Sequence, residues 1–150
     1  MLDIYVESVY TPNQTRDAKA GMGVYFGPED HRNFSGKLDG QEQNSARAEI
    51  EAIRRALIIL GGKSQSEGSD ESRRPIAYMR TTSWHAVEVM TSRESASADP
   101  DSDIISDAKQ RLVFCPYLVK FEHVSDHSPS EGIKAAKILA KSATRLDSDK

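Results

Sequence analysis

Leu2, Ile4 and Val6 alternate with Asp3, Tyr5 and Glu7, the period of two that a strand with one buried face requires. The run Leu2–Tyr10 is rich in β-branched and aromatic residues and predicts a first strand. Tyr10–Lys19 is polar, with turn chemistry at Pro12-Asn13-Gln14. Ala20–Gly27 predicts a second strand whose glycines indicate close backbone approach or a bulge. After a turn at Pro28-Glu29-Asp30, the short alternation Arg32–Leu38 predicts a third. The period then changes. Over Asn44–Leu60, Ile50, Ile53, Leu57 and Leu60 recur at helical spacing among Ala46, Ala48, Ala52 and Ala56. Asn44 or Ser45 can cap this helix, and Gly61-Gly62 stops it.

Lys63–Arg74 reads as a Ser/Glu/Gly-rich loop. Pro75–Thr82 predicts a fourth strand, and Ser83–Met90 a short helix opening on a Ser N-cap. Thr91–Asp101 is a second loop, rich in Ser, Ala and Asp. Asp103–Leu112 predicts a helix with Ile104, Ile105, Ala108 and Leu112 inward. Pro116–His123 reads as a fifth strand, Val124–Glu131 as a loop, and Ile133–Ala143 as a final Ala-rich helix. The charged tail Thr144–Lys150 is expected to fray. The order is βββ-α-β-α-α-β-α without internal repeat, in one domain over residues 1–143.

Composition narrows the class. The chain has 150 residues, 37% hydrophobic and 29% charged, enough for a core with polar loops around it. No apolar run approaches the roughly 18 residues that cross a bilayer, and no basic segment precedes the first strand, so neither a signal peptide nor a membrane partner is expected. A lone Cys115 excludes an internal disulfide and a Cys-type zinc site. It fits a reducing, intracellular setting, nuclear or cytoplasmic. Next to Pro116, with no adjacent base, it reads as a buried inert thiol. His31, His85 and His123 form no metal triad with recognisable spacing. The net charge of −3 argues against strong non-specific nucleic-acid binding. Glu7, from its local pattern, reads as an edge-strand acid facing solvent; the alternative is a carboxylate placed for chemistry at the end of a core strand.

Six stretches favour the alternative: Ile-Tyr-Val-Glu-Ser (4–8), Ala-Gly-Met-Gly-Val-Tyr-Phe-Gly (20–27), Asn-Ser-Ala-Arg-Ala-Glu-Ile-Glu-Ala-Ile (44–53), Thr-Thr-Ser (81–83), His-Val-Ser-Asp-His-Ser (123–128) and Gly-Ile-Lys-Ala-Ala-Lys-Ile-Leu-Ala (132–140). In this order, over nearly the whole chain, they resemble type 1 ribonuclease H. The resemblance implies an α/β fold, a five-stranded mixed β-sheet flanked by α-helices. It also implies cleavage of the RNA strand of RNA–DNA hybrids by two Mg²⁺ ions held on four carboxylates.

Carried over position by position, the resemblance fails at the chemistry. The first-strand Asp falls on Glu7, and the helix Glu falls on Glu49. The fourth-strand Asp falls on Thr82, and the last-helix Asp on Lys137. The loop His that assists turnover falls on His127. Thr82 brings no charge, and the Lys137 ammonium competes with metal for the same acids. Because the last helix and first strand meet in this fold, Lys137 is expected to reach Glu7, Glu49 or both. Asp126 and Glu131 lie near the last helix, but Asp126 falls on the loop, and a rescue needs two replacements at once.

The binding surface is reduced as well. The family's basic protrusion would lie within Ala86–Gln110, which here is short and acidic, and Trp84 reads as a packing residue. Arg16, Lys19, Arg47, Lys134 and Lys137 read as a solvated charged face. The expectation is a catalytically inactive ribonuclease H-like domain, a pseudoenzyme without a cofactor. It would serve as a protein-interaction or structural module for another protein or other domains of a larger chain, with weak hybrid binding at most. The alternatives are a non-cleaving binder of RNA–DNA hybrid or RNA, and a residual metal-dependent nuclease.

Overall fold

The alternation at the N-terminus becomes β1 (Leu2–Tyr10), and in the computed structural model it is the middle strand of five. The model describes residues 1–11, 20–40, 43–61, 74–93, 99–127 and 129–145. The sheet order is β3-β2-β1-β4-β5. β2 (Ala20–Tyr25) runs antiparallel to β1, with Glu7 opposite Gly23, and β3 (Phe34–Lys37) runs antiparallel to β2. β4 (Ile76–Thr81) and β5 (Leu118–His123) are parallel additions on the other side. The sheet is therefore mixed, and its helices are α1 (Ser45–Gly61), α2 (Trp84–Thr91), α3 (Ser102–Val113) and α4 (Glu131–Arg145), in the expected order.

One face of β1 carries Ile4 and Val6 into a core with Met22, Val24 and Met79 from neighbouring strands, Ile50, Ile53 and Leu57 from α1, and Ile105 from α3. Burying a side chain of this size contributes about 1.5–3 kcal/mol, which fixes the register of β1 against α1. The other face is organised by small residues. A Cβ on Gly21 would collide with the Ala140 carbonyl oxygen, and one on Gly23 with that of Ala136. The glycines thus let α4 lie directly on β2, with Ala136, Ala140 and Ala143 fully buried. Ser35 ties the same helix to β3 by donating its hydroxyl to the Leu139 carbonyl at 2.6 Å.

Several boundaries move. β2 stops at Tyr25 because the chain turns: the Phe26 N–H donates to Asn33 Oδ1 at 2.7 Å, and the Asp30 N–H to the Gly27 carbonyl at 3.2 Å. β5 starts at Leu118, two residues late, since Pro116 has no N–H for the ladder; the Leu118 N–H donates to Pro75. α4 begins at Glu131, where Ser130 caps it through Ile133 N–H at 3.2 Å. It also continues past Ala143, so the tail does not begin at Thr144. Thr144 is buried and its hydroxyl bonds the Lys141 carbonyl.

The turn at Pro12-Asn13-Gln14, the charges Arg16 and Lys19, most of the loops after Gly61 and Arg93, and residues 146–150 lie outside the described residues. Among the described residues no helix is long and apolar enough to cross a membrane.

Candidate functional site

Glu7 does not face solvent. β1 is central rather than an edge, and Glu7 is only 5% exposed. Two residues before it, Tyr5 pairs with Arg80 on β4, so the parallel register brings Glu7 to the residue just beyond β4, Thr82. The Thr82 N–H donates to Glu7 Oε2 and its hydroxyl to Oε1, both at 2.7 Å. This is a two-point clamp. Burial pushes the Glu7 carboxyl above the usual glutamate range, while the two Thr82 donors and the Lys137 charge pull it back.

Glu49 arrives from the beginning of α1, which is capped by Asn44 accepting from the Arg47 N–H at 2.8 Å. Its Oε1 accepts the Ser83 hydroxyl at 2.7 Å. The same Ser83 oxygen accepts the Ala86 N–H at 3.0 Å, as the N-cap of α2. One hydroxyl thus starts a helix and orients an acid. Thr82 and Ser83, adjacent in sequence, each hold one of the two acids.

Lys137 departs from expectation. Its ammonium lies 3.4 Å from Asp126 Oδ1 and forms no ion pair with Glu7 or Glu49; the side chains of Lys137 and Asp126 are 34% and 68% exposed. Asp126 hangs from the loop after β5, while α4's own carboxylate, Glu131, lies 3.9 Å from Lys134. A cleft of about 430 Å³ is lined by Glu7, Glu49, Asp126, Thr82, Ser83, Lys137 and Lys141 among others. Asp126, which the sequence reading set aside as a loop residue, belongs to this cleft, and so do Ser83 and Lys141. Lys141 could have been found, being one helical turn beyond Lys137. His127 is exposed, with its N–H on Ser125 Oγ, and is not among the cleft-lining side chains.

Other expectations change too. Trp84 is not a packing residue: it is 57% exposed and meets His123 edge to face at 5.3 Å. Arg47 does not join Lys134 and Lys137 in a charged face. It is held by Asp101 at 3.2 Å and Asp103 at 2.9 Å, the N-cap residue and a first-turn acid of α3. Cys115 is buried, and burial raises its thiol.

A pair of Mg²⁺ ions, implied by the resemblance, does not fit this donor set. Mg²⁺ takes near-octahedral oxygen ligands and dehydrates reluctantly. Here both Glu7 oxygens already accept hydrogen bonds, Glu49 is shared with Ser83, and Asp126 is paired with an ammonium. Three carboxylates face two lysines in the cleft. Among the described residues, no group of three or more His, Cys, Asp or Glu is placed to hold a metal ion.

The fold, as distinct from the site, agrees with that of similar proteins. No protein-family model matches the chain. The chain is 31% identical over 145 residues to the ribonuclease H of Schizosaccharomyces pombe, an alignment covering 92% of this chain and 51% of that protein. It is 28% identical over 119 residues to the ribonuclease H of Saccharomyces cerevisiae, covering 75% of this chain and 33% of that protein. The chain thus spans half or less of the length of these relatives. Among solved structures, LC11-RNase H1 in complex with RNA/DNA hybrid superposes with a TM-score of 0.67 at 19% identity, covering 98% of this chain and 99% of that one. The RNase H1 of Halobacterium salinarum gives 0.64 at 19% identity, covering 98% of each chain.

Proposed function

We propose that this chain, which has the type 1 ribonuclease H-like fold, is a domain that binds without cutting. The observation that carries the reading is the clamp of Thr82 on both oxygens of Glu7. Thr82 stands where the resemblance requires an acid. Instead of adding charge for a cation, it satisfies the remaining acid internally. Lys137, at the other substituted position, brings a positive charge into the cleft and is balanced by Asp126. The acids Glu7 and Glu49 are thereby held in place by Thr82, Ser83 and helix capping, and the fold needs no divalent ion for charge balance. His127, exposed and outside the cleft lining, has no hydrolysis to assist on this reading.

The role left to such a domain is interaction, with another protein or with other domains of a longer chain. A second reading, a non-cleaving RNA or hybrid binder, is favoured by one observation, the exposed Trp84 that follows the cleft residue Ser83 in sequence. That LC11-RNase H1 was solved with an RNA/DNA hybrid makes nucleic acid the natural first ligand to try.

The test is a melting curve in rising Mg²⁺. A ligand that binds only the folded state raises the melting temperature by mass action, by about 2.7 kcal/mol of stability at a hundred times its Kd. The expected result is no shift up to 10 mM. A rise that grows with the logarithm of Mg²⁺ concentration and is abolished by Glu49→Gln would show that the acids still hold metal.

A further inference from the structure

β5 closes one side of the sheet, and among the described residues no strand pairs with its outer edge. The Leu118 N–H donates to the Pro75 carbonyl and the Val124 N–H to that of Thr81, so the even positions turn their backbone groups to β4. Direction alternates along a strand, and the N–H and C=O groups of Val119, Phe121 and His123 therefore point outward. An open row of this kind is a template for another strand.

The side chains select which strand fits. Val119 and Phe121 pack against the core, which places Lys120 and Glu122 on the other face of the sheet, where both are exposed. Glu122 Oε1 accepts from Arg80 at 2.8 Å, and its second oxygen has acceptor capacity left. Lys120 makes no ion pair with a described residue. Set a second copy antiparallel against this edge, with Phe121 opposite its own counterpart. Lys120 of each copy then stands directly across from Glu122 of the other, in the close type of pair with Cα atoms about 4.5 Å apart. Opposite charges at such positions stabilise a sheet and like charges oppose it. A lone edge lysine guards against pairing; an acid two positions on turns the guard into a mark for one register.

The exposed apolar side chains agree with that register. Among the described residues five large ones are exposed, and three of them flank β5. Trp84 meets His123 at the end of the strand, while Val113 and Phe114 close α3 shortly before its start. α2 and α3 pack on the same face of the sheet. A two-fold axis normal to the sheet keeps the faces and exchanges the ends, so Trp84 of one copy comes to the end that carries Val113 and Phe114 of the other.

We infer that two copies of this chain associate edge to edge through β5, antiparallel about a two-fold axis at Phe121, joining their five-stranded sheets into one. No β5 residue lines the cleft, so the inference goes beyond the proposed reading of the acids and stands whether or not they hold metal.

The test is sedimentation of the 150-residue chain from about 1 to 300 μM. The expected result is a concentration-dependent dimer. Lys120→Glu sets Glu against Glu across the axis, and Glu122→Lys sets Lys against Lys, so each alone should weaken the dimer tenfold or more. Mixed in equal amounts, the two variants offer both pairs with the charges exchanged and should associate again. Phe114→Ser, at a position 74% exposed, should keep the fold and weaken the dimer as well. Circular dichroism confirms that each variant folds; if loss of the Arg80 contact unfolds Glu122→Lys, Lys120→Glu and Phe114→Ser decide. Trp84 is the only tryptophan in the chain, so its emission should move to the blue as the dimer forms. A monomer at every concentration, a dimer that Lys120→Glu leaves intact, or folded charge variants that fail to associate when mixed overturns the inference.

Discussion

Thr82→Val tests the clamp on Glu7 with the least change of shape. Valine keeps the branched side chain and the backbone N–H but removes the hydroxyl that donates to Oε1 at 2.7 Å. That distance is short, as expected of a hydrogen bond to an ionised acceptor. Glu7 is 5% exposed, so water replaces the lost donor poorly. A hydrogen bond to a charged group contributes about 1.5–3 kcal/mol, and in a domain of this size 1 kcal/mol moves the melting temperature by about 2–4 °C. The expected loss is therefore about 3–12 °C at pH 7. Its pH dependence has a definite sign. Burial raises the folded-state pKa of Glu7, and the Thr82 hydroxyl is among the groups that lower it again. Removing the hydroxyl raises it further. The variant's deficit is thus fully present above both folded-state values and shrinks as pH falls toward about 4, where both native states hold the proton. Urea denaturation at pH 4, 5.5 and 7 measures it. In a Glu7→Gln background the same substitution should cost only the neutral-bond amount, about 0.5–1.5 kcal/mol. A deficit of equal size at all three pH values, or one below about 0.5 kcal/mol at pH 7, would refute the clamp.

Three further outcomes follow from the packing. Lys137→Ala should cost less than about 1 kcal/mol, because its pair with Asp126 is substantially exposed and exposed pairs are worth little; chemical denaturation checks this. Thr82→Asp combined with Lys137→Asp should create an Mg²⁺-dependent rise in melting temperature absent from the parent, since it adds two acids and removes a competing ammonium. Gly23→Ala should lose about 1–3 kcal/mol or more by denaturation, since its Cβ would meet the Ala136 carbonyl and overpacking costs that much.

The fold was legible because each element announces itself locally: period two at Leu2–Tyr10, helical spacing over Asn44–Leu60, Ser83 as an N-cap. Even the glycines of β2 declared a close approach, though not that α4 was the element approaching. The site was legible in part. Glu7, Glu49, Thr82 and Lys137 do share one end of the sheet, as the resemblance implied. What sequence could not supply is side-chain direction. Lys137 has acids in reach on two sides, and the choice of Asp126 over Glu7 depends on where the loop after β5 runs. Glu7 is already held by Thr82, a two-bond contact between residues 75 positions apart. Trp84 was misread for the same reason: an aromatic at a helix start has no periodicity to say whether it turns inward, and here it lies outside the core beside His123.

The central claim is that this fold no longer supports two-metal hydrolysis, and the most direct measurement is cleavage of an end-labelled RNA–DNA hybrid. The purified 150-residue chain is incubated with the hybrid in Mg²⁺ and separately in Mn²⁺, alongside Glu49→Gln prepared in the same way. The account predicts intact RNA in both metals, with chain and variant indistinguishable. RNA fragments produced by the unmodified chain and lost in Glu49→Gln would contradict it.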